Sequence, residues 1–187
     1  MKKFEIIMGL TTIVGTAFRL LDISGGLVII TVSLSTLACF YYMFSFALFN
    51  DIRLRDIFKK TSYSNTSPKR IIVAIGLGSV ISNVIIGSLF KTQVWPGSDP
   101  ILKVGLPILG LILIVLLSRY YINKTDLNLK AFHVRAIKRI LIYGGLGLIL
   151  YLIPSSTFIN AFNIQSDEVQ SIEEVTSDTN VDEAEPN

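Results

Sequence analysis

In so apolar a chain, chemistry has to come from the few ionisable groups, and their positions suit anchoring better than catalysis. Arg19, Asp22, Lys91, Asp99 and Lys103 are the charges closest to the long apolar runs, and all five cluster at the same ends of those runs. Their spacing allows local pairs, Arg19 with Asp22 and Lys91 with Asp99. A proton relay through about 30 Å of hydrocarbon needs Asp, Glu or His at depth. Outside the C-terminal tail the acids are Glu5, Asp22, Asp51, Asp56, Asp99 and Asp126, each near the end of a run or between runs. Tyr41, Tyr42, Tyr143 and Tyr151 lie inside runs, but tyrosine ionises near pH 10 and carries protons poorly at neutral pH. The single histidine, His133, has no partners for a metal or a catalytic pair, and the single cysteine, Cys39, excludes an internal disulfide and behaves as a small apolar residue. No catalytic, cofactor-binding or metal-ligating residue is assigned, and the chain is read as a non-enzyme without cofactor.

The elements that must position these groups are helices. The chain has 187 residues, 51% of them hydrophobic, and a mean hydropathy of +0.58. A spanning helix needs about 20 mostly apolar residues. Residues 26–49, 71–90 and 140–164 meet that requirement without a charge. Residues 6–18 form a shorter run whose Arg19 can snorkel to the headgroups, and 101–117 contains one charge, Lys103. The expectation is an all-α polytopic membrane protein of about five transmembrane helices. Lys2 and Lys3 before an apolar run, with Gly15-Thr16-Ala17 beyond it, resemble a signal peptide; Glu5 is out of place in one, and the segment is read as a retained helix.

An internal repeat organises most of the chain. At an offset of 72 residues, Ile13-Val14-Gly15-Thr16-Ala17-Phe18-Arg19 aligns with Ile85-Ile86-Gly87-Ser88-Leu89-Phe90-Lys91, and Gly25 then meets Gly97, Ile29 meets Ile101, Val32 meets Val104 and Leu34 meets Leu106. Each repeat reads as a helical hairpin. Two spans per copy make these parallel repeats related by an axis along the membrane normal. The predicted organisation is a first transmembrane hairpin over 1–49, a basic cytoplasmic loop over 50–70, a second hairpin over 71–122, a basic amphipathic loop over 123–139, a fifth transmembrane helix over 140–164 and a disordered acidic tail over 165–187.

The formal charge of +3 conceals an asymmetry. All 17 Lys and Arg lie in the first 139 residues, and 8 of the 14 acids lie in the tail. Six cations fall in 50–70 and six in 119–139, against Arg19, Lys91 and Lys103 at the hairpin tips. Basic residues in short loops between apolar runs set topology and give no reason to expect nucleic acid. They predict a cytoplasmic N-terminus and a periplasmic acidic C-terminus. Asn65-Thr66-Ser67 and Asn123-Lys124-Thr125 match glycosylation acceptors but fall in predicted cytoplasmic loops. Leu129, Phe132 and Ala136 at helical spacing among cations read either as an amphipathic turn on the anionic leaflet or as plain topological charge. Small residues four apart, Ala74, Gly78 and Ser82 on the third run and Thr11 and Gly15 on the first, suit close helix packing. Gly144, Gly145 and Gly147 do the same in the fifth run, while Pro107 and Pro154 loosen their helices.

The most specific segment is Gly87-Ser88-Leu89-Phe90-Lys91-Thr92-Gln93-Val94-Trp95-Pro96-Gly97-Ser98, which ends a helix, turns through Pro96-Gly97 and re-enters by Ile101. It resembles the membrane hairpin of GldL, a subunit of the gliding-motility and type IX secretion motor. That family reads Phe-Lys-x-x-His-Trp-Pro-Gly between two spans, followed by a Gly-Leu pair. Phe90, Lys91, Trp95, Pro96, Gly97, Gly105 and Leu106 match, with Gly87 preceding them, and Gly15, Phe18, Arg19 and Gly25 are the repeat equivalents in the first hairpin. The likeness covers about residues 71–117. Val94 stands where the family has histidine, and the family's proton-carrying carboxylate falls at Leu109, or Leu37 in the first repeat. The resemblance therefore implies a shared hairpin fold in a bacterial cytoplasmic membrane, without the motor's proton carrier. The expected function is a non-catalytic GldL-like membrane protein whose partners are the lipid bilayer and either copies of itself or other membrane subunits. The alternative is a small channel or transporter with a pathway between the hairpins.

Overall fold

The computed structural model describes residues 2–63, 66–122 and 127–162; the acidic tail and the two acceptor asparagines lie outside them. Up to Ile153 the chain forms one compact unit. Helix α1 (Lys2–Leu20) and α2 (Gly26–Phe49) make the first hairpin, α3 (Pro68–Thr92) and α4 (Ser98–Ile122) the second, and α5 (Leu127–Leu152) comes next. The linker between hairpins contains two short 3-10 turns, Leu54–Asp56 and Lys60–Tyr63.

Among the described residues three helices, α2, α3 and α4, are long and apolar enough to cross a membrane. At 24 or 25 residues each they reach about 36 Å, against a hydrocarbon core of about 30 Å. With its 19 residues, α1 falls short by composition because Lys3, Glu5 and Arg19 flank its apolar stretch. The fifth run differs from its expected form. The described part of 123–139 is not a loop: residues from Leu127 onward are helical and run without a break into the apolar stretch that begins at Ile140, and the apolar side of this segment, Phe132 and Ala136, is buried in the core. The single span expected over 140–164 is also interrupted. Pro154 has no N–H and disfavours helix at the residue before it, so α5 stops at Leu152 and a separate short helix, α6 (Ser155–Ala161), starts on Pro154. Counted together as a broken span, α5 and α6 bring the number of candidate crossings to four.

The hairpin turns repeat residue for residue. Ile23 N–H bonds to Phe18 C=O at 2.8 Å, and 72 residues later Trp95 N–H bonds to Phe90 C=O at 2.9 Å; Asp22 to Arg19 is matched by Val94 to Lys91, both at 3.3 Å. The left-handed backbone needed to reverse the chain falls at Asp22 and Gly25 in one turn and at Val94 and Gly97 in the other. Within each hairpin a glycine lets the helices close. A Cβ on Gly15 meets Ile29 and Ile30, and one on Gly87 meets their counterparts Ile101 and Leu102. One pair differs in kind: Thr12 and Ser33 share a hydroxyl hydrogen bond of 2.9 Å, where Val84 and Gly105 make an apolar contact.

The hairpins meet through α2 and α3, which form the centre of the unit. Ala74, Gly78 and Ser82 line the contact. A Cβ on Gly78 overlaps the Ser45 side chain and falls 2.7 Å from Tyr41 C=O, and Ser82 Oγ donates to Ala38 C=O at 2.9 Å. The buried core runs along this seam through Ile30, Leu37, Leu77 and Ile81 and includes Leu102 and Leu109 of α4. Helix α5 packs on α3 and α4, with Gly144 against Leu109 and Gly147 against Val84. Apolar side chains also cover the outside, for example Ile6, Ile13, Val32, Val104, Leu111, Ile114, Leu141 and Ile149. Such continuous apolar cover is foreign to soluble monomers and suits a lipid environment.

Candidate functional site

Ionisable chemistry inside the bundle is concentrated where α1, α2 and α5 meet. Arg139, halfway along α5, places a guanidinium fork on Glu5 of α1, Nε to Oε1 at 2.9 Å and NH2 to Oε2 at 2.8 Å. Tyr41 of α2 donates its hydroxyl to the same Glu5 Oε1. The guanidinium lies over the Phe49 ring at 5.3 Å, and Tyr143 closes edge-on against Tyr41 at 5.0 Å. Only 13% of the Glu5 side chain and 9% of Arg139 remain accessible. A bidentate, charge-assisted pair of this kind is strong when satisfied and costly when half removed.

The sequence expectation that the acids keep to run ends and loops holds for Glu5 by position, in the first turn of α1, but gave no sign of its burial. Glu5 stands at a helix end by number, yet its carboxylate is inside the bundle. Arg139, expected as the last cation of a cytoplasmic loop, is mid-helix and buried. The two lie 134 positions apart, too far for any local pattern to join them. The available signal was Glu5 itself, an acid that fitted poorly with a signal peptide. Chemically the cluster is closed: both carboxylate oxygens are engaged and aromatic rings cover the rest. It suits a clamp that ties α1 and α5 to α2. Among the described residues no three His, Cys, Asp or Glu side chains converge to hold a metal. His133 is buried beside Phe132.

The motif residues gather at the turn end of the second hairpin. Lys91 pairs with Asp99 at 2.8 Å, one of the two local pairs that the spacing allowed, with Lys91 3% and Asp99 51% exposed. Phe90 and Trp95 meet edge-on at 5.3 Å. Gly97 supplies the left-handed turn after Pro96, and Gly105 receives Val84. In the first hairpin Gly15, Phe18, Arg19 and Gly25 hold the equivalent backbone places. Gln93 joins the hairpins across this end, its Nε2 donating to Leu27 C=O at 3.3 Å and to Thr31 Oγ1 at 3.0 Å. Sequence reading did not single out Gln93.

A second feature lies below this end, on the outer face of the α2–α3 seam. Thr31, Ser35, Cys39 and Tyr42 on α2 and Ser79, Asn83 and Phe90 on α3 line a groove of about 530 Å³. Asn83 is exposed there, 9 residues or about 14 Å from the end of α3, and its amide makes no side-chain hydrogen bond among the described residues. Searches of family models, of characterised proteins and of solved structures return no match for this chain.

Proposed function

We propose that this protein is a non-catalytic membrane subunit that associates through the outer face of the α2–α3 seam, with a second copy of itself in the first instance. The observation that carries this reading is the Asn83 groove. A carboxamide facing hydrocarbon without a partner costs several kcal/mol, and it holds both a donor and an acceptor, so it pairs with its own image across a two-fold axis. Hydroxyls and small residues beside it permit close approach. The alternative of a pathway between the hairpins is disfavoured by the contact of Gly78 with Ser45 and the Ser82–Ala38 bond, which fill that space.

The same reading takes α1 and the α5–α6 segment as the remaining two of five spans. The outward apolar face of α1 supports this, since Ile6, Leu10, Ile13 and Val14 are all exposed. The cations of the α2–α3 linker and of the start of α5 support a reading with those ends and the N-terminus in the cytoplasm and the acidic tail periplasmic. The resemblance of the Phe90–Gly97 turn to GldL supports a bacterial cytoplasmic membrane and assembly with membrane subunits. Gliding motility and type IX secretion are the processes it suggests.

Cys39 makes the association testable, because the one cysteine is exposed and lines the groove. Copper-phenanthroline oxidation of native membranes is expected to give a disulfide dimer through Cys39, reduced severalfold by Asn83→Leu. A cross-link of another mass identifies a different subunit. Monomer alone, with Cys39 demonstrably reactive to a maleimide, sinks the self-association reading.

A further inference from the structure

The linker between α2 and α3 is folded against the bundle and encloses a cleft. Tyr63 donates its hydroxyl to Ile57 C=O at 2.7 Å and stacks on Phe46 of α2, which holds the two 3-10 turns over the inner helix ends. The cleft, about 410 Å³, opens where α2 ends and α3 begins, and α5 forms its far wall. Three arginines from three separate segments line it: Arg53 of the linker, Arg70 of the first turn of α3 and Arg135 of α5. Ser62 and Thr66 line it as well.

Two carboxylates share the wall and set its charge. Asp51 pairs with Arg135 at 3.4 Å, and Arg135 Nε also donates to Phe49 C=O at 3.1 Å. Asp56 pairs with Lys59 at 2.9 Å, and that hydrogen bond holds its carboxyl below the usual carboxylate range. Among the described residues neither Arg53 nor Arg70 makes a salt bridge. Arg70 is instead fixed by stacking, its guanidinium 5.2 Å from the Phe132 ring centre. A planar fork positioned on an aromatic face, beside a second arginine that is in no salt bridge among the described residues and two hydroxyl-bearing side chains, suits phosphate recognition. The N-terminus of α3 adds the positive end of its dipole.

We propose that this cleft binds a phosphate group, the chemistry shared by an anionic phospholipid headgroup and a soluble phosphate ester. The lipid source has the stronger support. The cleft lies at the ends of two helices long enough to cross a membrane, which is headgroup level. Phe58, in the same linker, is 98% exposed, and an aromatic side chain at that level enters the interface.

The test is titration of the full-length protein in maltoside micelles with phosphatidylglycerol, read by native mass spectrometry. Saturable binding of one lipid per chain is expected. The Arg53→Gln/Arg70→Gln double variant should bind at least about tenfold more weakly, since each lost contact is a charge-assisted hydrogen bond. Lys69→Gln/Lys138→Gln removes two exposed cations that do not line the cleft and should change affinity by less than about twofold. Asp51→Asn removes a competing carboxylate and releases Arg135. Asparagine accepts the left-handed backbone at that position (φ 61°), so this variant should fold and bind more tightly. Displacement of the lipid by millimolar inorganic phosphate assigns the cleft to soluble phosphates; retention assigns it to lipid. Lipid accumulating without saturation, equal losses in the two double variants, or no gain in Asp51→Asn overturns the proposal. Groove and cleft share no lining residue, so Cys39 cross-linking should survive the loss of Arg53 and Arg70.

Discussion

Removing one half of the Glu5–Arg139 pair leaves an uncompensated charge inside the bundle. Arg139→Met abandons a carboxylate that otherwise accepts two guanidinium bonds, at 2.9 and 2.8 Å, and Glu5→Leu abandons a guanidinium held against Phe49. Breaking a buried pair from one side costs about 3–5 kcal/mol. In Glu5→Leu the Tyr41 hydroxyl, fully buried, also loses its acceptor, at a further cost of about 1–3 kcal/mol. Removing both charges leaves mainly apolar side chains around the Tyr143 hydroxyl, and replacing a buried pair by apolar groups is often nearly neutral. The triple variant Glu5→Leu/Tyr41→Phe/Arg139→Met should therefore lie within about 2 kcal/mol of the parent, while each charge variant alone lies at least about 3 kcal/mol below it. Reversible unfolding by sodium dodecyl sulfate in mixed micelles, monitored by circular dichroism, measures all of these on one scale. Losses that simply add, leaving the triple variant least stable of all, would refute the clamp and show that the two groups act separately.

Four further outcomes rest on named residues. Gly78→Ala should destabilise by about 1–3 kcal/mol because its methyl overlaps Ser45, whereas Gly110→Ala and Gly145→Ala, with nothing within 4 Å, should be neutral or stabilising in the same unfolding assay. Val94 is a β-branched residue in the left-handed region at φ 57°, so Val94→Asn should raise stability by about 1 kcal/mol; a lower melting temperature counts against strain there. Gly25→Ala and Gly97→Ala occupy equivalent turn positions at φ 93° and 88° and should each cost about 1 kcal/mol, and clearly unequal losses weaken the equivalence of the turns. Proton flux into liposomes under an imposed potential should match empty liposomes, since the ionisable pair in the bundle is closed on itself; flux that disappears in Glu5→Gln overturns the non-conducting reading.

Topology admits an equally direct check. Reporter fusions after Asp51 and Gln165 should report cytoplasm and periplasm respectively. A cytoplasmic signal at Gln165 means that the interrupted α5–α6 segment does not cross.

Sequence alone determined what depends on neighbours along the chain. Uncharged runs of 20 or more residues dictate apolar helices, because hydrocarbon forces every backbone group to bond within its own segment. The 72-residue register located both turns to the residue, since Gly25 and Gly97 occupy positions where the backbone reverses with positive φ. The Lys91–Asp99 pair spans one turn and was readable from spacing. The Ala74, Gly78 and Ser82 stripe announced a close helix contact without naming its partner, α2. What only the tertiary structure decided are the relations between distant residues. Arg139 looked like one more topological cation because its partner, Glu5, sits on another helix, and the energy of a buried pair depends on desolvation that no local pattern records. The amphipathic stripe of Phe132 and Ala136 gave the correct period but not what would cover it; the bundle covers it, through Phe49 and Arg70. Hydrophobicity along 140–164 was continuous across Pro154, and average apolarity concealed a break that one missing N–H imposed on the backbone.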